Sequence, residues 1–413
     1  MQDNQYSRTI ETVIDNRISH FPVVLITGAR QIGKSTLSYR FTQKGYTYIS
    51  FDDPLSLSAA RKDPQAFLAV NPGRLILDEI QRAPELFPYL EKAVNEVKIS
   101  GRDNSGMFLL TGSRIYSTMD TMRESLAGRL CVVNMSTLSR DEIIGREEPP
   151  FSFDKASAHR RAQEHPLGED ELLELVFRGQ YPRLWEDKSL DASTFYRAYI
   201  DTYLMRDISD LRQIRDQASF TRFLTITAAY TGQELVYDSI SKAVGVDSKT
   251  IRFWIDALVS CGIVTLIHPY SDTSIVKRIV KRPKLYFTDT GLVCSLIGID
   301  SPETLRKSFL YGSIFETYAV NEIMKSFRNN GMEPSIYYYR DTSQNEVDLV
   351  LIDRAEIHPI EIKSGTLYTT RDIKAFMCLD NLKFPLGDGA IICTADQPYP
   401  VTDRVWTYPI GSL

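Results

Sequence analysis

Val23-Val24-Leu25-Ile26-Thr27 runs directly into Gly28-Ala29-Arg30-Gln31-Ile32-Gly33-Lys34-Ser35-Thr36. A β-branched apolar run that breaks into a glycine loop and then a polar helix start predicts strand, loop and helix in immediate succession. Gly28 and Gly33 let the backbone turn its N–H groups inward, and the following helix adds the positive end of its dipole. A triphosphate fits that cradle. In the complete GxxxxGK[ST] pattern, Lys34 is placed for the β- and γ-phosphates, Ser35 for Mg²⁺ and Thr36 for the α-phosphate.

Working outward, Arg74-Leu75-Ile76-Leu77-Asp78-Glu79 is a strand that ends in two acids, at the edge where α/β sheets bind ligands. Asp78 is expected to support the Mg²⁺ shell, and Glu79 to orient and polarise the attacking water. A further strand, Met107 to Leu110, runs into Thr111-Gly112-Ser113, and Thr111 or Ser113 is expected to sense the γ-phosphate. In Met122 to Leu130 either arginine, Arg123 or Arg129, has the chemistry to stabilise γ-phosphate charge; Arg129 is preferred, from its own subunit or from a neighbour in a homo-oligomer. Leu86, Leu90, Val94 and Val97 within Ala83–Lys98 follow helical spacing and are read as scaffold.

A chain of 413 residues exceeds one core, and 43% hydrophobic with 24% charged residues describes an ordinary globular protein of several domains. The net charge of −5 gives no global basic footprint, so any nucleic-acid contact has to come from a local patch. Five scattered cysteines, without a CxxC pair, read as buried thiols in a reducing compartment. No apolar run approaches the roughly eighteen residues of a membrane span, and the expected location is cytoplasmic.

The phosphate loop, Leu77-Asp78-Glu79-Ile80-Gln81, Leu110-Thr111-Gly112-Ser113, Ser125-Leu126-Ala127-Gly128-Arg129 and Tyr286-Phe287-Thr288-Asp289-Thr290-Gly291 together resemble a large family of uncharacterised prokaryotic AAA-type ATPases, over nearly the whole chain. Arg178-Gly179-Gln180-Tyr181-Pro182 and Tyr199–Leu211, with Tyr203, Arg206 and Asp207, are further pieces of that likeness. The resemblance implies ATP as the nucleotide, an AAA-like core, a helical linker, a winged helix and an endonuclease-like fold at the end. The expected domains are 1–150 (ATPase), 151–215 (helical linker), 216–300 (winged helix) and 301–413 (nuclease-like).

The residues of the later segments support those expectations in their own terms. Asp238–Val244 and Ser248–Ser260 read as a helix-turn-helix, followed by strands at Gly262–Ile267 and Lys284–Phe287. Five bases without an acid, between Ile275 and Lys284, suit a wing lying along a phosphate backbone, with Lys249 and Arg252 facing the groove; DNA, RNA or a protein partner is expected there. Downstream, a helix carrying Glu316, a strand presenting Asp348 and another presenting Glu361-Ile362-Lys363 resemble the PD-(D/E)xK nuclease arrangement. Glu316, Asp348 and Glu361 are expected to gather Mg²⁺ or Mn²⁺, with Lys363 activating water and stabilising the phosphate. Arg371–Leu379 is expected as a closing helix. The resulting reading is an ATP-driven switch acting on nucleic acid; its alternative is a nucleotide-gated interaction protein whose nuclease-like fold is inert.

Overall fold

A computed structural model describes residues 6–113, 122, 124–204, 216–271 and 282–413. Three sheets carry the architecture. The first contains β1 (Val23–Gly28), β2 (Tyr46–Ser50), β3 (Arg74–Asp78), β4 (Phe108–Ser113) and β5 (Leu130–Asn134), in the order β2-β3-β4-β1-β5. All its pairs are parallel. The phosphate-loop strand is therefore central, and β4 separates it from the acidic strand β3.

Strand alternation divides this sheet between two cores. Val23, Leu25, Leu75, Leu77 and Leu110 point to the face covered by Phe87, Leu90 and Val94 of the helix Phe87–Ile99. That helix starts later than the periodicity suggests, because two short 3₁₀ turns, Ile80–Arg82 and Pro84–Leu86, take up the preceding residues. Val24, Ile26, Ile76 and Leu109 point to the other face, into a core that continues through the rest of the molecule.

The middle segment consists of helices from Glu169–Arg178 onward and a small antiparallel sheet of β6 (Gln233–Glu234), β7 (Val264–Ile267) and β8 (Lys284–Phe287), with β8 in the centre. The helices Tyr237–Val244 and Ser248–Ser260 meet through Gly245 and the Asp247 cap, whose carboxylate accepts from the Lys249 and Thr250 N–H groups. Ile240, Ile251, Trp254, Ile255 and Leu258 fill their shared interior.

The terminal sheet has the order β13-β12-β11-β10-β9, with β9 (Ile336–Arg340), β10 (Glu346–Asp353), β11 (Glu356–Ile362), β12 (Gly389–Cys393) and β13 (Val405–Pro409). Its β9-β10-β11 half is antiparallel and its β11-β12-β13 half parallel. One face packs on the helix Tyr311–Arg328, which is buried along nearly its whole length and joins the core reaching back to β1. The helix Lys155–Glu164 lies against β13, so part of the segment following the first domain covers the terminal sheet.

The expected Arg371–Leu379 α-helix is instead a 3₁₀ helix, Lys374–Leu379. All five cysteines are free thiols, and Cys294 and Cys393 are buried; Cys131, Cys261 and Cys378 are half-buried, which corrects the expectation of five buried ones. No described helix is long and apolar enough to cross a membrane.

Candidate nucleotide site and a second acidic cluster

Two glycines shape the phosphate loop for different reasons. Gly28 has φ +154°, and a Cβ there would lie 2.3 Å from the Met135 carbonyl oxygen, so a side chain has no room. Gly33, at φ +93°, opens the helix Lys34–Arg40 from the left-handed region that favours glycine. The Lys34 side chain is buried, and its ammonium donates to the Ala29 carbonyl at 2.7 Å and the Gly28 carbonyl at 3.2 Å.

Asp78, at the end of β3, is the hub of this edge. Its Oδ1 accepts from the Ser35 hydroxyl at 2.8 Å and from Thr111, and its Oδ2 accepts from Tyr48 at 2.8 Å and Ser50 at 3.3 Å. Burial, and then the hydrogen bond and charge of Asp78, push the Tyr48 phenol above its ordinary range. Thr111 joins the two acids: it donates to Asp78 and accepts the Glu79 N–H at 3.3 Å. Glu79 sits at φ +57°, an unusual conformation for a residue with a side chain, and its carboxylate accepts from Gln81 Nε2.

These donors suit the expected ligand. Ser35 and Asp78 offer hard oxygens to a magnesium ion, and the buried Lys34 ammonium suits phosphate. Thr36 lines an adjoining cleft with Leu37, Tyr6, Arg8, Pro182 and Glu186. Sequence reasoning missed Tyr48, Arg8 and Pro182, because each reaches the site only through sheet pairing or chain packing; Gln81 lies in the quoted Leu77–Gln81 motif but carries no assigned role there.

Arg129 is placed differently from the expectation. Leu130 pairs with Val23 at the start of β1, so Arg129 lies at the opposite sheet edge, about 17 Å from the phosphate loop at roughly 3.3 Å per residue. There it pairs with Glu91 at 3.2 Å and with Asn95 at 2.9 Å. Action on its own subunit's γ-phosphate is excluded by that register. Arg123, the Ser113 side chain, Arg206, Asp207 and the basic residues Lys277, Arg278 and Lys281 lie outside the described residues.

A buried polar route leads away from the loop. Arg8 donates to the Ile32 carbonyl at 2.9 Å and pairs with Glu142 at 3.0 Å. Nearby, Glu322 of the helix Tyr311–Arg328 accepts from the Arg140 N–H and from Gln180, both at 2.8 Å, while Lys325 donates to the Leu138 carbonyl at 2.8 Å. Asp289 accepts from the Gln180 N–H at 2.7 Å and from Tyr196 at 2.6 Å, and Gly179 leaves room for both. The Gly-Gln-Tyr-Pro and Thr-Asp-Thr-Gly motifs thus meet each other as packing partners.

The terminal acids do converge. Burial, then the Asp348 charge, raise Glu316 and Glu361 above the usual carboxyl range. Lys363 donates to Glu361 at 2.7 Å. Among them, however, stands Lys284 of β8, at 2.6 Å from Glu346, 3.3 Å from Glu316 and 3.7 Å from Asp348. Burial pulls the Lys284 ammonium toward deprotonation, but the carboxylates of Glu316, Asp348 and Glu346 outweigh it and keep it charged. Among the described residues no group of three or more His, Cys, Asp or Glu side chains is arranged to hold a metal ion. The expected Mg²⁺ or Mn²⁺ centre at Glu316, Asp348 and Glu361 is corrected in that respect, because an ammonium stands where the acids meet.

The fold and site of the first domain define a P-loop nucleotide-binding domain. Residues 20–144 match the family described as AAA domain. Residues 169–303 and 311–413 match two domains of unknown function, DUF8612 and DUF4143. Uncharacterized proteins of Mycobacterium tuberculosis and Mycobacterium bovis are each 29% identical to the chain over 395 residues, covering 95% of it and 81% of their own length. Among solved structures, similarity extends to a Walker-type ATPase of Pyrococcus abyssi, at 12% identity and TM-score 0.42 over 71% of this chain and 97% of that one. It extends also to Thermotoga maritima RuvB, at 16% identity and TM-score 0.30 over 62% and 88%.

Proposed function

We propose that the chain is an ATP-binding and ATP-hydrolysing switch whose nucleotide state is passed to the middle and terminal segments. The observation that carries this is Asp78 bonded to the phosphate-loop Ser35, with Glu79 directly beside it. Bound Mg²⁺ and ATP would supply the phosphoanhydride that is cleaved. Lys34 would leave the Gly28 and Ala29 carbonyls for the β- and γ-phosphates, and Ser35 and Asp78 would hold a bound magnesium ion. Glu79, released from Gln81, takes the proton of the attacking water. Thr111 keeps the two acids in register and Thr36 faces the α-phosphate. Arg129 acts, on this reading, across a subunit boundary in a homo-oligomer. Phosphate release by wild type and by Glu79→Gln is the test: turnover that survives the substitution overturns the assignment.

Pro182 lines a cleft with Gly33 and Thr36, so the middle segment borders the phosphate-loop helix, which supports coupling. The helix pair and small sheet, read as a winged helix, keep Lys249 and Arg252 exposed, which supports contact with DNA or RNA phosphates. Anisotropy of labelled duplex DNA and single-stranded RNA at two salt concentrations tests that contact; a Lys249→Glu, Arg252→Glu double variant should lose it. The position of Lys284 favours a second reading for this arrangement, a nucleotide-gated interaction protein in which the nuclease-like fold holds a partner rather than cutting nucleic acid.

A further inference from the structure

The phosphate loop is held from outside by a side chain that its motif does not contain. Arg8, 6% exposed, precedes the helix Ile10–Ile18, and its guanidinium fork reaches three separate parts of the first domain. Nη1 donates to the Ile32 carbonyl at 2.9 Å, Nη2 to the Ser136 carbonyl at 2.7 Å, and Nε to Glu142 at 3.0 Å. Glu142 is fixed in turn, since its carboxylate accepts from the Thr9 N–H at 2.9 Å and the Ser139 N–H at 3.2 Å. The fork therefore has little freedom to rotate.

The bond to Ile32 has a consequence one residue along. The Ile32–Gly33 peptide is planar and trans, so the Ile32 carbonyl and the Gly33 N–H point in opposite directions. A guanidinium that holds the carbonyl thus aims the N–H away from itself. This stretch needs an external hold, because Gln31 sits at φ +61°, a costly conformation for a residue with a side chain, and Gly33 is free to adopt many others. The segment after β5 completes the frame: the Met135 carbonyl packs against Gly28, and the Ser136 carbonyl shares the fork with Ile32.

We propose that Arg8 is a positioning residue of the phosphate loop, which pins the Ile32 carbonyl and so presents the Gly33 N–H to a phosphate oxygen. This role presupposes that the loop binds a polyphosphate, as proposed above, and adds to it a residue outside the GxxxxGK[ST] pattern. It calls for arginine. Arg8→Lys keeps a charge facing Glu142 but lacks the planar fork that holds two carbonyls and a carboxylate at once.

The experiment measures displacement of a fluorescent ATP analogue from the full chain by ATP and by inorganic tripolyphosphate, each with Mg²⁺. Arg8→Lys should weaken both by about 10-fold relative to wild type, and KM for ATP should rise with them while kcat changes less. Unchanged tripolyphosphate affinity overturns the proposal even where ATP is weakened, because an effect confined to ATP lies on the nucleoside. Should Arg8→Lys fail to fold, Arg8→Gln combined with Glu142→Gln leaves no unpaired buried charge and carries the same comparison. In wild type, tripolyphosphate should slow hydrogen exchange at the Gly33 amide; exchange left unaltered there also overturns the proposal. Wild type that binds neither ATP nor tripolyphosphate breaks the nucleotide reading itself, whereas equal binding by wild type and the Arg8 variant breaks only the role of Arg8.

Discussion

The edge of the first sheet and the acidic cluster of the terminal domain hold the same chemical ingredients, acids and a lysine, in opposite arrangements. At the first edge Lys34 is parked on backbone carbonyls of its own loop, and Asp78 is surrounded by hydroxyls that a metal ion can join. In the terminal cluster Lys284 stands directly among the carboxylates. The first arrangement leaves its counter-charge to a ligand; the second obtains it from the protein. Similar residue types thus make an open site in one place and a closed one in the other, and the deciding variable is whether a neighbouring strand delivers an internal cation.

The strongest way to break this comparison is at Glu79. Replacing Glu79 by Gln should lower kcat for ATP hydrolysis by about 10²- to 10⁴-fold while ATP affinity, measured by fluorescence titration, stays near wild type. Lys34→Ala should lower kcat/KM by about 10²- to 10³-fold, through loss of phosphate binding. A Lys34 variant with normal turnover would mean that the first edge is no more open than the second.

Glu148 sharpens the contrast between compensated and uncompensated buried acids. Burial, then the Glu142 charge, push its carboxyl up to about 7 from an ordinary 4.5, although Asn329 donates to it at 2.9 Å. The folded state therefore keeps a proton that the unfolded chain has already released, and stability falls as pH rises from about 4.5 through 7. Glu148→Gln should raise Tm at pH 8, corresponding to about 1–3 kcal/mol, and leave it almost unchanged at pH 5. A thermal melt at the two pH values checks this. The smallest effect is expected at Tyr48: Phe removes one of the four hydroxyls on Asp78, costing about 1 kcal/mol, or roughly a fivefold loss of kcat/KM.

Several errors of sequence reading share a cause. Arg129 follows a family-like motif closely enough to suggest proximity to phosphate, yet the parallel pairing of β5 with β1 puts it at the far edge. Asp289 and Gly179, quoted only as pieces of the family likeness, meet Tyr196 in a buried junction that motif matching does not show. The terminal acids, Glu316 on a helix and Asp348 and Glu361 on strands, are grouped through the nuclease resemblance, whereas Lys284 belongs, in sequence, to a basic wing rather than to their cluster.

The sequence by itself determined the phosphate loop, the acid pair at the end of β3 and the helix pair of the middle segment. Each depends on residues a few positions apart, where glycine conformation, helix spacing and strand alternation act directly. Only the tertiary structure decided that four hydroxyls converge on Asp78, that Arg129 faces away, and that a middle-segment lysine enters the terminal cluster. Those outcomes depend on strand order, register and interdomain packing, which bring together residues separated by tens of positions and leave no periodic trace in the chain.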